Sequence, residues 1–297
     1  QNEYNSFQIE QRDTSKIYEV FPGYFADEAP YGYWGYSVTG NNGMIMGGWM
    51  NLGRDKSVNS TAILKFDLTN QINMRNQLKT GLQLIFNTYN VKSFTENPSM
   101  NTWNRSLEYK VSPMRAGLYL QDKLEYEGFI ANMGLRLDYL DANTVHYVLD
   151  DFDEFYEQGS GHAIESGAPT EETKSVLKLS PRLGISHPIT ETSKLYFNYG
   201  HFQSEPSSSY RFRLQRESNG LVTNMGNPNM VFEQTIAYEL GYSQSWMDYL
   251  FNLAAYYKDV TNEPNWVYYA NMGRSVSYYK AMNNEYEDIR GFEITIS

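Results

Sequence analysis

Asp150, Asp151, Asp153, Glu154 and Glu157 crowd five carboxylates into one short stretch of this chain. Dense oxygen donors of that kind suit a hard cation such as calcium. The stretch lacks the glycine and the closing glutamate of an EF-hand loop, so a solvated loop face is its expected role. His146 and His162 share that loop, while His187 and His201 lie elsewhere and no HExxH spacing occurs. No metal site is expected, and His187 and His201 read as interfacial residues. Arg211, Arg213 and Arg216 form a short basic run. It suits an anionic ligand or lipopolysaccharide, against the plainer role of a solvated face. Trp34, Trp49, Trp103, Trp266, Tyr268 and Tyr269 are the candidate ligand-binding residues. Their flat faces can stack on sugars or planar chelates. Packing among the loops, or a belt at a membrane edge, would use the same residue types.

Catalysis finds no foothold. There is no GxSxG, no Walker loop and no cysteine, and nothing orders a Ser-His-Asp set. Glu233 and Glu239 share a strand face, but six residues of strand separate them by roughly 20 Å, too far for paired acid–base work. No enzyme activity and no cofactor is expected. The net charge of -11 argues against a nucleic-acid partner.

The elements that carry these residues have a two-residue period. In Val176–Phe202, Leu177, Leu179, Leu183 and Ile185 alternate with Lys178, Ser180, Arg182, Gly184 and Ser186. After a break at Pro188–Ser193, Leu195, Phe197 and Tyr199 alternate with Tyr196, Asn198 and Gly200. This is a long β-hairpin with one oily and one polar face, as in a half-wet sandwich or a membrane barrel. Alternation recurs from Ala62 to Leu68, Leu78 to Phe86, Met114 to Leu120, Phe129 to Tyr139, Phe232 to Tyr242, Phe251 to Tyr257 and Phe292 to Ile296. Pro181 falls on the oily phase and predicts a bulge or an unpaired backbone position. Residues 1–12 hold at most one strand. Residues 13–58, 92–111, 141–175, 203–230 and 261–284 read as loops rich in Gly, Asn, Ser and Pro.

Connection length separates sandwich from barrel. From Ser60 onward the links alternate between roughly 3–6 and roughly 20–35 residues, as in outer-membrane barrels with short periplasmic turns and long outer loops. Long structureless links are uncommon in compact soluble domains. Tyr occurs 26 times, yet mean hydropathy is -0.59, which suits strands that are apolar only at alternate positions. No run approaches the ~20 apolar residues of a spanning helix. The fold class is therefore all-β, an antiparallel transmembrane β-barrel with the chain in the outer membrane, its lipid the first partner.

The segments LSPRLGISHPITETSKLYFNYGHF, GNPNMVFEQTIAYELGY, AAYYKDV and IRGFEITIS together resemble the barrel domain of TonB-dependent receptors of Bacteroidota. YLQDKLEYEGFIANMGLRLDYLD is similar to the same family, and the likeness covers about residues 60–297. The family's NPNLxPE is here Asn227, Pro228, Asn229, Met230, Val231, Phe232 and Glu233; the second proline is absent and the acid keeps its place. The resemblance implies a barrel of about 22 strands around a plug. It also implies import of a scarce, bulky ligand (an iron chelate, cobalamin or glycan) driven by the TonB complex. No plug or TonB box is legible. Residues 1–297 are thus expected to be about nine or ten strands of one larger barrel domain, with the plug and the barrel ends outside them. TonB would act through a missing N-terminal segment, and a surface lipoprotein lid or other outer-membrane subunits are further expected partners. The alternative is a non-transporting barrel subunit of a larger surface assembly.

Overall fold

The computed structural model describes residues 2–5, 18–21, 24–26, 33–34, 52–96, 105–157, 160 and 163–297. In chain order the strands begin with β1 (Asn2–Asn5), β2 (Tyr18–Phe21), β3 (Tyr24–Ala26), β4 (Tyr33–Trp34) and β5 (Leu52–Asp55). There follow β6 (Val58–Gln71), β7 (Asn76–Glu96), β8 (Arg105–Val111), β9 (Met114–Tyr126), β10 (Phe129–Asp141) and β11 (Val145–Tyr147). Helix α1 (Ile164–Gly167) precedes β12 (Thr170–Glu172), β13 (Val176–Thr190) and β14 (Ser193–Ser204). Helix α2 (Ser208–Phe212) then leads to β15 (Leu214–Glu217), β16 (Val222–Met225), β17 (Glu233–Trp246), β18 (Tyr249–Asn271) and β19 (Val276–Ile296).

Nine long strands among the described residues, β6, β7, β9, β10, β13, β14, β17, β18 and β19, form an antiparallel meander in which each pairs with the next. Tight turns join alternate pairs at one end. Gly128, at φ 94°, closes the β9–β10 turn, and Met247, at φ 53°, the β17–β18 turn. At the opposite, outer end the β7–β9, β10–β13 and β14–β17 connections are long, while β18 and β19 extend outward and meet in a tight turn at residues 272–275.

Pairing register carries the two faces across the whole sheet. Phe66, Leu82, Leu118, Leu137 and Leu179 stand in one cross-strand row. Ile185, Phe197, Leu240, Ala255 and Phe292 stand in another. Most of these apolar side chains are exposed, Leu179 by 59% and Phe292 by 74%. An exposed apolar sheet on this scale has to be covered by lipid. Along β17 the band runs from Ile236 to Trp246, about ten residues; at a tilt near 40° this spans about 25 Å of bilayer. Tyr199, Tyr238 and Tyr257 form one aromatic row towards its outer edge, and Tyr126, Phe129, Tyr249 and Phe251 gather near the turns. Among the described residues no helix is long and apolar enough to cross a membrane.

The opposite face is the lumen wall. One row there reads Asp67, Gly81, Tyr119, Arg136 and Ser180. Large side chains fold over glycines of the neighbouring strand: Tyr119 lies against Gly81, Tyr196 against Gly241 and Tyr256 against Gly291. A β-carbon on any of those glycines would collide with the ring. The wall therefore stays flat enough for strands to approach while carrying bulky residues.

Several expected loops are strands. Residues 261–284 are the outer half of the β18–β19 hairpin, which stays in register to Asn271 opposite Val276. Register shifts at Glu263 and Pro264 throw the alternation out of phase, which hides the hairpin from a period-two reading. Residues 92–111 hold the end of β7 and all of β8. The 13–58 stretch contains β2 to β5 and the start of β6. The 141–175 and 203–230 stretches fold into short strands, turns and the helices α1 and α2. β8, β15, β16 and the outer half of the β18–β19 hairpin stand beyond the apolar band, so lipid imposes no apolar phase on them. Pro181 sits in regular register with Leu135 on β10, one residue past the last β13–β14 pair, Arg182 with Gly200. It marks an unpaired position rather than a bulge, since proline has no N–H to give.

Candidate functional site

Two surfaces could meet a ligand: the lumen wall and the outer lattice above it. On the wall a depression of about 770 Å³ is lined by Tyr119, Gln121, Asn132, Arg136, Arg182 and Glu239. Its charges are partly matched in place. The Arg136 Nε donates to Asp138 at 2.8 Å, and the Tyr119 hydroxyl donates to Asp67 at 2.7 Å. The Arg182 guanidinium lies 4.6 Å over the Phe202 ring.

The outer lattice begins where β7 outgrows the membrane band. Tyr89–Thr95 of β7 pair with β8, β8 with β15, and β15 with β16. Asn224 and Met225 of β16 then run parallel to Tyr279 and Lys280 of β19. Loop strands thus bridge from one barrel strand to another. Under them lies a separate hydrophobic core of Tyr156, Ile164, Leu214, Val222, Met225, Val276 and Tyr278, with Phe152 and Tyr269 packed against it. The rings of Tyr156 and Tyr278 stack at 4.0 Å. Burial pushes the Tyr156 hydroxyl up to about 12 and drives Tyr278 up as well, because a phenolate there would lose its water.

Ion pairs and turns pin this core to the wall. Arg211, 1% exposed, donates to Glu205 at 2.7 Å, and Arg115 of β9 donates to the other oxygen of Glu205 at 3.1 Å. Burial pulls the Arg211 pKa down, and the Glu205 carboxylate opposes that shift. Lys280 donates to Asp151 at 2.6 Å, and Arg274 donates to the Phe152 carbonyl at 2.8 Å. The NPN turn is a structural joint. Asn227 accepts from the Asn229 backbone at 3.0 Å, Asn229 accepts from the Lys174 backbone at 2.8 Å, and Met230 and Phe232 are buried just before β17.

Asp151 and Asp153 among the clustered carboxylates, and His187 and His201 among the histidines, have identifiable partners. Asp151 pairs with Lys280, and Asp153 caps the short turn at Glu154–Tyr156. No three metal-ligating side chains converge among the described residues. His187 meets the Gly128 carbonyl beside a short turn. His201 Nε2 lies 2.6 Å from the Tyr199 hydroxyl at the outer membrane edge. His162 lies outside the described residues. The arginine run is no solvated face: Arg211 is buried, Arg216 pairs with Glu165 at 2.5 Å, and the Arg213 guanidinium lies 5.8 Å from the centre of the Trp266 ring.

Of the six candidate aromatics, Trp49 and Trp103 lie outside the described residues. Trp34 pairs with Phe25 across β3 and β4. Trp266, Tyr268 and Tyr269 stand on β18 and not on a loop. Trp266 is half-buried with Tyr210 at 5.2 Å. Tyr269 is wedged between Phe152 and Tyr278, in the lattice core. Tyr268 is 58% exposed beside Tyr279. The sequence singles out Arg211 and Arg213 as a basic run, but not the aromatic side chains that surround them, such as Tyr109, Tyr147 and Tyr156, because these come from segments far apart in the chain and share no motif.

The family comparison bears on a wall with a lipid band, a polar lumen and a folded outer lattice. The model of the TonB dependent receptor-like β-barrel family matches residues 2–297. The chain belongs to this family. It is therefore an outer-membrane β-barrel chain of the TonB-dependent receptor type. A comparison with curated proteins finds no match. Among solved structures, the chain is similar to the Serratia marcescens hemophore receptor HasR, seen with its hemophore HasA and heme. That likeness has a TM-score of 0.57 and 16% identity, over 82% of this chain and 40% of that one. The copper transporter OprC aligns with a TM-score of 0.55 and 15% identity, over 87% and 37% of the two chains. The siderophore receptor PirA of Pseudomonas aeruginosa aligns with a TM-score of 0.53 and 18% identity, over 81% and 40%. At such identities the likeness is one of fold, and this chain spans about 33–40% of these and similar structures.

Proposed function

We propose that this TonB-dependent receptor chain is barrel wall and outer lattice of a transporter that imports a bulky ligand, an iron chelate, cobalamin or glycan, through a plugged lumen. The observation that carries the reading is the family match over residues 2–297, joined to a wall with one lipid face and one charged lumen face. Heme, copper and siderophore receptors share the fold. Trp266 and Tyr268 are the aromatic candidates for first contact, Tyr268 by its exposure.

The edges favour a larger barrel. β6 pairs on its outer side only with β1, over Val58–Thr61, and β19 only with β16, at Tyr279 and Lys280, among the described residues. Backbone groups left unpaired in hydrocarbon cost several kcal/mol each. Further strands in the membrane would satisfy them. A plug and a TonB-contacting segment would belong to the same larger protein.

The test is uptake of a panel of radiolabelled ferric chelates, cobalamin and oligosaccharides by cells with and without the protein, each with TonB intact or deleted. Transport predicts accumulation that needs both. Surface binding that is unchanged by TonB loss, without accumulation, would favour a non-transporting subunit of a surface assembly. The mass of the native protein from purified outer membranes, compared with 34.4 kDa for this chain, tests the larger barrel.

A further inference from the structure

Between β8, β11 and the α2–β15 turn the outer lattice frames a half-open cavity of about 580 Å³. That is within the range of small-molecule sites. Its walls mix two kinds of side chain. Tyr109, Tyr147, Tyr156, Phe212, Leu214 and Met225 make about half of it apolar and aromatic, and Arg211 and Arg213 are among the polar residues that line the rest.

The arginines are not used up by the fold. Arg211 gives one terminal nitrogen to Glu205, yet its Nε is buried without a partner, in a side chain 1% exposed. The Arg213 Nε is likewise buried and unpartnered. A buried guanidinium N–H without an acceptor is costly, and real proteins rarely leave one so. The His146 Nδ1, on β11 across the same cavity, is a third unpartnered nitrogen.

The charge balance points the same way. Both acids on the cavity wall are engaged: Glu108 with Lys92 at 2.7 Å and Glu165 with Arg216 at 2.5 Å. Lys280 is held by Asp151. Among the described residues neither Arg213 nor Lys110 has an acid partner, so the cavity keeps uncompensated positive charge. The local backbone is built to present these arginines. Gly226 donates its N–H to the Arg213 carbonyl at 2.5 Å. A β-carbon at Gly226 would come within 2.7–2.9 Å of the backbone at Arg211 and Arg213.

We propose that this cavity is a binding site for a small organic acid: a carboxylate on a flat apolar body, drawn by the unmatched positive charge of Arg213 and Lys110 beside Arg211. Guanidinium edges present two N–H groups in the geometry a carboxylate accepts, and the aromatic wall takes the body. The site is distinct from the lumen depression. It would hold whether or not the receptor imports anything, because it rests only on the lattice.

Benzoate is a suitable probe, with benzamide as its neutral twin and inorganic phosphate as the anion without an apolar body. Each is titrated into the full-length receptor in detergent by ligand-observed NMR. Benzoate should bind saturably with a Kd below about 10 mM. Benzamide and phosphate should bind at least about tenfold more weakly. Arg213→Gln should weaken benzoate by about tenfold or more, and Arg211→Lys should do the same if it folds. Arg75→Gln, at a short turn on the far side of the membrane, should leave affinity within about twofold. No saturable benzoate binding, equal binding of benzamide, or an Arg213→Gln protein with unchanged affinity would overturn the site. Phosphate binding as tightly as benzoate would overturn the organic-acid assignment.

Discussion

Single residues on the lumen wall are fitted to one another across strands. Tyr196 lies against Gly241, so the absence of one β-carbon makes room for a whole ring. Gly241→Ala should therefore destabilise the barrel by about 1–3 kcal/mol, the usual penalty of overpacking. Tyr196→Ser should relieve most of that penalty in the double variant, read as a coupling energy in reversible urea unfolding from vesicles. Additive effects would show that the ring and the glycine are independent. At the same scale, the two faces of β17 predict opposite tolerance to charge. Leu240→Arg places a cation in lipid and should cost about 2–4 kcal/mol, while Thr235→Arg, on the lumen face, should cost less. Equal losses in the same unfolding measurement would contradict the face assignment.

At the scale of elements, the outer lattice behaves as a small domain with its own core, seated on the ends of β7, β14, β18 and β19. Its core holds Tyr156 with a hydroxyl pKa near 12 against an ordinary value of 10.0. Since the folded pKa is raised, the protonated phenol is favoured by folding. That contribution is complete below pH 10, declines between pH 10 and about 12, and is gone above it. Hydrogen exchange in β16 and the β18–β19 tip should accelerate across that window. Tyr156→Phe should make the dependence shallower, because its ring packs without an ionisable group and only Tyr278 of the stacked pair is left to titrate. An unchanged profile in that variant would place the alkaline loosening elsewhere.

For the whole molecule, the short turns and the lattice must lie on opposite sides of the membrane. A cysteine replacing Asp153, in the lattice, should react with a membrane-impermeant maleimide on intact cells. One replacing Glu191, in the β13–β14 turn, should react only after permeabilisation. The reverse pattern would invert the orientation. At this scale the receptor fold divides its labour simply: a band that lipid requires to be apolar, a wall whose charges face the lumen, and loops freed from both demands and built into a lattice.

That division also sets what the amino-acid sequence alone determines. Leu177, Leu179, Leu183 and Ile185 alternate because lipid lies against every second residue, and short turns follow because antiparallel neighbours need little chain to reverse. The strand class, most membrane-crossing strands and their two faces are legible from those facts, and the receptor family from the resemblance carried by segments such as GNPNMVFEQTIAYELGY. The outer half of the β18–β19 hairpin is not, because the shifts at Glu263 and Pro264 break its period and no lipid restores it. Nor are the partners of Arg211: the meeting of Glu205, Arg115 and Arg211 joins residues 90 and 6 positions apart. Which arginine nitrogens stay free, and which cavity they border, depends on contacts between distant loops. Local periodicity holds no record of those contacts, so only the tertiary structure decides them.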